Sequence, residues 1–152
     1  MSTATTRIRE VMSSSPVCAT GAMGMRELAR LFEEKRISGA PVVGQDGRII
    51  GVISKTDLIR RTSEGSLETP PNYLFEVLCG TACKGVPVVP ESLLVVADLM
   101  SPDPVTVRQD DMIGPVARVM AERRIHRVIV VDDDRRPIGV VTSLDLLKKF
   151  PA

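Results

Sequence analysis

Gly51-Val52-Ile53-Ser54-Lys55-Thr56-Asp57 and Gly139-Val140-Val141-Thr142-Ser143-Leu144-Asp145 decide how this chain is read. Each stretch is a glycine, two apolar residues, a hydroxyl residue and, three positions later, an aspartate. Asp145 follows Asp57 by 88 positions, and the same displacement aligns the flanking sequence without a gap. Met12-Ser13 meets Met100-Ser101, Pro16-Val17 meets Pro104-Val105, and Ala29-Arg30 meets Ala117-Arg118. Arg36-Ile37 then meets Arg124-Ile125, and Val42-Val43 meets Val130-Val131. Self-similarity at one fixed shift marks a duplicated structural unit.

Working outward from the signature, the unit takes shape. Met25, Leu28, Ala29 and Phe32 are spaced i, i+3, i+4, i+7, which predicts one buried helix face. Ile113, Val116, Ala117 and Met120 repeat that spacing. Both helices end in basic residues, Lys35-Arg36 and Arg123-Arg124, which suit the negative end of the helix dipole. Next come two apolar runs around a polar turn: Ala40 to Val43 and Arg48 to Ile53 in one copy, Val128 to Val131 and Pro137 to Val141 in the other. These read as hairpins. Short strands near Val17-Cys18-Ala19 and Val105-Thr106-Val107 precede the helices, and the helical crossover requires parallel pairing with the next strand. A last helix starts near Lys55 or Ser143. The expected fold class is α/β, with two pseudo-symmetric β-α-β-β-α repeats. One such unit alone buries too little to be stable, so the two are expected to pack sheet to sheet around a shared core. The expected boundaries are 8–62 for the first repeat, 63–92 for a linker and 93–150 for the second. Gly65, Pro70-Pro71, Gly80, Gly85, Pro87 and Pro90 break up the linker, while Asn72 to Leu78 suits a short amphipathic helix.

Composition narrows the function. The 152 residues carry 20 Lys plus Arg and 19 Asp plus Glu, a formal charge of +1. That balance argues against nucleic-acid binding. Aromatic residues are 3% of the chain, with no Trp, so stacking platforms for bases are scarce and the core must be aliphatic. No apolar run approaches the length of a membrane span, and the N-terminus lacks the apolar region of a secretory signal. Three cysteines do not close a disulfide framework, and a reducing cytoplasm is the expected setting.

The signature supports two compatible readings. Structurally, Ser54 and Thr142 are helix N-caps, and Asp57 and Asp145 complete capping boxes. Functionally, a helix start offers amides and a dipole to a phosphate, and the hydroxyl can join them. A carboxylate there would repel a phosphate, so the aspartate suits a different partner, the diol of a ribose. The signature glycine would let a ligand approach the strand backbone.

With its lead-ins Val11-Met12-Ser-Ser-Ser-Pro16-Val17 and Leu99-Met100-Ser-Pro-Asp-Pro104-Val105, and the strand entries Ile37-Ser38-Gly39 and Ile125-His126-Arg127, the repeat resembles a pair of CBS (cystathionine-β-synthase-type) domains, a Bateman module. The resemblance covers all but the linker. It implies a stand-alone regulatory module binding AMP, ADP, ATP or S-adenosylmethionine in clefts between the repeats and signalling by a change of shape. It implies Asp57 and Asp145 at ribose and Ser54 and Thr142 near phosphate, with Thr20, Ala40 and Val128 lining base and sugar. His126 and Arg127 match a phosphate-contacting position. The first copy has Ser38-Gly39 there, so the two clefts are expected to be unequal. Lys55 is a further phosphate candidate, or merely an exposed residue. A homodimer formed through helix faces such as Leu144-Leu146-Leu147 is also implied, with a regulated protein as a further partner.

Rival readings stay open. One is a non-catalytic oligomerisation or interaction module with empty clefts. Another is a thiol or metal sensor using Cys79 and Cys83, which are one helical turn apart but lack a completing ligand pair. His126 is the one histidine and also suits an ordinary strand edge. Asp132-Asp133-Asp134 is explained by turn chemistry. No catalytic constellation, metal site or obligatory cofactor is expected.

Overall fold

A computed structural model describes residues 5–57 and 95–149. The segment 72–78, Cys79 and Cys83 lie outside the described residues. The elements, in chain order, begin with a 3-10 turn at Ile8–Glu10, then β1 (Ser13–Ser14), β2 (Ala19–Thr20), α1 (Met25–Lys35), β3 (Gly39–Val43) and β4 (Ile49–Ser54). A helical turn follows at 55–57. The second half has α2 (Val96–Leu99), β5 (Ser101–Pro102), β6 (Thr106–Val107), α3 (Ile113–Arg123), β7 (Arg127–Val131), β8 (Pro137–Thr142) and α4 (Ser143–Leu147). The mixed α/β class and the two repeats match the sequence reading.

The described residues fall into two compact units. One holds residues 5–16, 47–49 and 104–149, and the other holds 17–46, 50–57 and 95–103. The first contains the sheet β1-β8-β7-β6, the second the sheet β2-β3-β4-β5. As the crossover argument requires, β6 runs parallel to β7 and β2 parallel to β3. The hairpin β7–β8 is antiparallel, with Arg127 opposite Thr142 and Ile129 opposite Val140.

The periodicity reading of the helices holds closely. Met25, Leu28, Ala29 and Phe32 are buried in α1, and Ile113, Val116 and Met120 in α3, while Ala117 packs half-buried at the margin. Pro115 sits in the first turn of α3, where a missing amide costs nothing. Each helix closes through an arginine in the left-handed region, Arg36 at φ 52° and Arg124 at φ 54°. The next residue folds back: the Ile37 amide donates to the Phe32 carbonyl and the Ile125 amide to the Met120 carbonyl, each at 3.0 Å. Both isoleucines cover their helix end, the apolar contact that accompanies this cap.

The lead-ins depart from their place along the chain. β1 pairs with β8, and β5 pairs with β4, so each repeat's sheet is completed by the lead-in of the other. The core follows suit. Ile8, fully buried, packs with Val116, Met120, Val128 and Val141 of the second repeat, and Val96 and Leu99 pack with Leu28, Phe32 and Val42 of the first. The hydrogen bonds repeat as well, with the Ile8 amide donating to Asp111 and the Val96 amide to Met23, both at 2.9 Å.

This exchange corrects the expected role of the signature glycines. A Cβ at Gly139 would lie 2.7 Å from Met12 Sδ and 3.1 Å from the Ser13 carbonyl oxygen; at Gly51 it would lie 2.6 Å from Met100 Sδ and 2.8 Å from the Ser101 carbonyl oxygen. The space is taken by the lead-in's methionine side chain and serine carbonyl, not kept open for a ligand. Gly139→Ala is therefore expected to destabilise the protein by about 1–3 kcal/mol through overpacking. Gly114→Ala is the control: its Cβ meets nothing within 4 Å, and the change is expected to be neutral or stabilising by up to about 1 kcal/mol. Urea unfolding of the two variants measures both.

Candidate functional site

In each repeat the second strand of the hairpin, β4 or β8, ends in a hydroxyl residue that starts a helix. Thr142 caps α4, and its amide and hydroxyl both donate to Asp145 Oδ2 at 2.9 Å, while the Asp145 amide donates to Thr142 Oγ1 at 3.2 Å. Ser54 and Asp57 repeat this with distances of 3.0, 3.0 and 3.2 Å. The capping-box reading is thus present in both copies. It consumes one oxygen of each carboxylate and leaves the other for a second task.

The second oxygens differ. Asp57 Oδ1 accepts from the Ser101 hydroxyl at 3.2 Å, and Asp57 is 7% exposed. Asp145 is half-buried, and its Oδ1 has no hydrogen-bond partner among the described residues.

The helix-start amides are largely committed. The Ser143 amide donates to the His126 carbonyl at 2.8 Å, and the Lys55 amide to the Ser38 carbonyl at 3.0 Å. With the capping bonds, this leaves the Leu144 and Thr56 amides in the two first turns. The Ser54 and Thr142 hydroxyls also give their single proton to the carboxylate, so donating to a phosphate requires that proton to turn away. The amide cradle suggested by the sequence is mostly filled from within.

His126 and Arg127 stand beside this turn. Arg127 is half-buried and opposite Thr142 in the β7–β8 ladder, and His126 is exposed at the strand entry. Both belong to the same unit as Thr142 and Asp145. The other unit has Ser38 and Gly39 at these positions, with Lys55 half-buried in the turn after Ser54. The structure therefore gathers Asp145, Thr142, Arg127 and His126 around one turn, and Asp57, Ser54 and Lys55 around another.

Three further candidates stand apart. Ala40 and Val128 are 3% and 1% exposed as whole residues and belong to the two cores, so neither presents appreciable surface to a ligand. Thr20, at the end of β2, is exposed. No group of acidic, cysteine or histidine residues suited to a metal occurs among the described residues. Burial raises the Cys18 thiol pKa, which keeps it protonated at neutral pH. Sequence reasoning missed Ser101. Its match to Ser13 was visible, but its contact with Asp57 depends on the lead-in exchange.

Comparisons with known proteins agree with this architecture. The CBS domain model matches residues 8–64 and 96–152. The uncharacterized protein MJ1426 of Methanocaldococcus jannaschii is 31% identical over 151 residues, which cover 93% of this chain and 89% of that protein. Other relatives are longer, and the chain spans 39% and 23% of two of them. Among solved structures, the CBS domain pair of MJ0100 in complex with 5'-methylthioadenosine and S-adenosyl-L-methionine superimposes with a TM-score of 0.72 at 23% identity, covering 96% of this chain and 100% of that one. CBSX2, a CBS-pair protein of Arabidopsis thaliana solved in complex with AMP, gives 0.68 at 24% identity and 93% coverage of both chains. Two matched domains, related by the internal shift and carrying duplicate capped signatures, place this chain in the CBS-domain family as a tandem pair.

Proposed function

We propose that the chain is a non-catalytic regulatory module that takes an adenosine-containing ligand, of the AMP, ADP, ATP or S-adenosylmethionine class, at the turn around Asp145. One observation carries this reading: Asp145 Oδ2 serves the capping box while Oδ1 has no partner among the described residues. A carboxylate held in this way by its own helix start is positioned to accept from a ribose diol. AMP on CBSX2, and 5'-methylthioadenosine and S-adenosyl-L-methionine on the MJ0100 pair, share adenosine and differ in phosphate. They support the nucleoside class and leave the anionic group to local chemistry.

That chemistry favours phosphate near Arg127 and His126. Arg127 supplies a fixed cation, and its planar fork suits phosphate oxygens. Thr142 joins if its hydroxyl rotates away from Asp145. On the other turn, Lys55 is the corresponding cation beside Ser54 and Asp57. Exposed Thr20 supplies a contact to base or sugar. Signalling follows to the extent that the ligand binds two conformations with different affinity. α4 carries Leu144 and Leu147, 67% and 61% exposed, and we assign these to a homodimer contact.

Three measurements test the reading. In a thermal-shift panel with an extrinsic dye, AMP or ATP at about 100 times Kd is expected to contribute roughly 2.7 kcal/mol, a rise in Tm of about 5–10 °C. Asp145→Ala is expected to remove most of that rise; no shift with AMP, ADP, ATP or S-adenosylmethionine refutes the proposal. Arg127→Ala is expected to weaken AMP about tenfold while changing adenosine little, as for loss of one charge-assisted contact. Replacing Leu144 and Leu147 by Glu is expected to yield monomer in light scattering, against dimer for the parent chain.

A further inference from the structure

The two signature carboxylates have equal capping duties and unequal second partners. Asp57 Oδ1 accepts the Ser101 hydroxyl at 3.2 Å. Ser101 opens β5, the exchanged lead-in strand, which is held by the β4–β5 pairing of Val52 with Ser101 and Gly51 with Pro102. The residue related to it by the internal shift is Ser13 in β1, paired with Val140 in the same manner. Ser13 is exposed and makes no hydrogen bond to Asp145. Nearly the same backbone therefore supplies a hydroxyl to one carboxylate and withholds it from the other.

We propose that Ser101 is an internal stand-in for a ribose hydroxyl, and that it sets the nucleoside affinity of the Asp57 turn below that of the Asp145 turn. A diol reaching Asp57 competes at Oδ1 with an aliphatic hydroxyl of the same chemical kind, held in place by a paired strand. At that oxygen the competitor is tethered to the protein, whereas at the half-buried Asp145 the diol competes only with exchangeable water. Displacement would also free the Ser101 side chain in the lead-in of the second repeat, so occupancy of the Asp57 turn acts on that strand directly. The ligand class is a ribonucleoside or its phosphate with an intact 2',3'-diol. This inference rests on the proposal that these aspartates hold ribose.

Calorimetric titration of the full chain with AMP tests it. The parent chain is expected to show one tight site, lost in Asp145→Ala and retained in Asp57→Ala. Ser101→Ala is expected to add a second site, or to tighten the Asp57-dependent one by at least about tenfold, the ratio expected when one hydrogen bond to a charged group no longer competes. Ser101→Thr, which keeps the hydroxyl, is expected to behave as the parent, and Ser13→Ala to change nothing. 2'-Deoxy-AMP should fail to fill the site opened by Ser101→Ala. Tight binding that depends on Asp57 rather than Asp145, or a Ser101→Ala protein with unaltered stoichiometry and affinity, overturns this inference while leaving the ribose reading intact. Absence of AMP and adenosine binding in the parent and in Ser101→Ala overturns both.

Discussion

The fold depends on the approach of each lead-in strand to a glycine. At Gly51 and Gly139 the neighbouring carbonyl and methionine sulfur occupy the place a side chain would fill. That contact lets β1 pair with β8 and β5 with β4. It also carries Ile8 and Val96 into cores built mainly by the other repeat, where both are fully buried. Each unit is thus assembled from separate stretches of chain, and the contacts that complete it span large sequence separations. Closing such loops costs entropy before the apolar contacts return it. The glycine admits the approaching backbone, and the buried aliphatic side chains supply the compensating free energy.

A second constraint is the capping duty of the aspartates. A capping box satisfies amides that would otherwise be orphaned, and it needs one carboxylate oxygen. The geometry at Asp145 shows that this structural duty leaves the second oxygen for another partner. It also fixes the carboxylate's direction, because Oδ2 is held by two donors. A carboxylate pre-aimed by its own scaffold would lose less freedom if a ligand engaged it. The capping duty is therefore compatible with the binding role proposed for Asp145.

Much of this was legible in the sequence, for identifiable reasons. The buried faces of α1 and α3 follow from apolar spacing, since a periodic signal summed over three turns outweighs single exceptions such as Ala117. The parallel pairs follow from the length of the crossover, and the capping boxes from the three-residue spacing of Ser54 with Asp57 and Thr142 with Asp145. The lead-in exchange was not legible. β1 and β5 are two residues long, and β1 is exposed, so neither carries periodicity. The left-handed arginines at 36 and 124 were hidden because glycine or asparagine is the usual signal there. Ser101 was hidden for a further reason: a side-chain contact across 44 positions has no local signature.

The duplicated backbone explains why the two turns can differ without endangering the fold. Ser15 and Asp103 share positive φ values of 54° and 53°, as Arg36 and Arg124 share 52° and 54°. Ser38 and His126 lend the same carbonyl to the same amide. Obligatory backbone groups must be satisfied in both copies, so the main chain is held to one solution. Side chains outside the core and the caps carry no such obligation, and there the copies diverge: His126-Arg127 against Ser38-Gly39, and a Ser101 engaged with its aspartate against a Ser13 that is not. Two identical turns would answer a ligand at a single concentration, because response follows differential affinity. On the proposed reading, turns that share a scaffold but differ in cation and in internal competitor would answer at different concentrations, and this difference costs the fold nothing that its backbone needs.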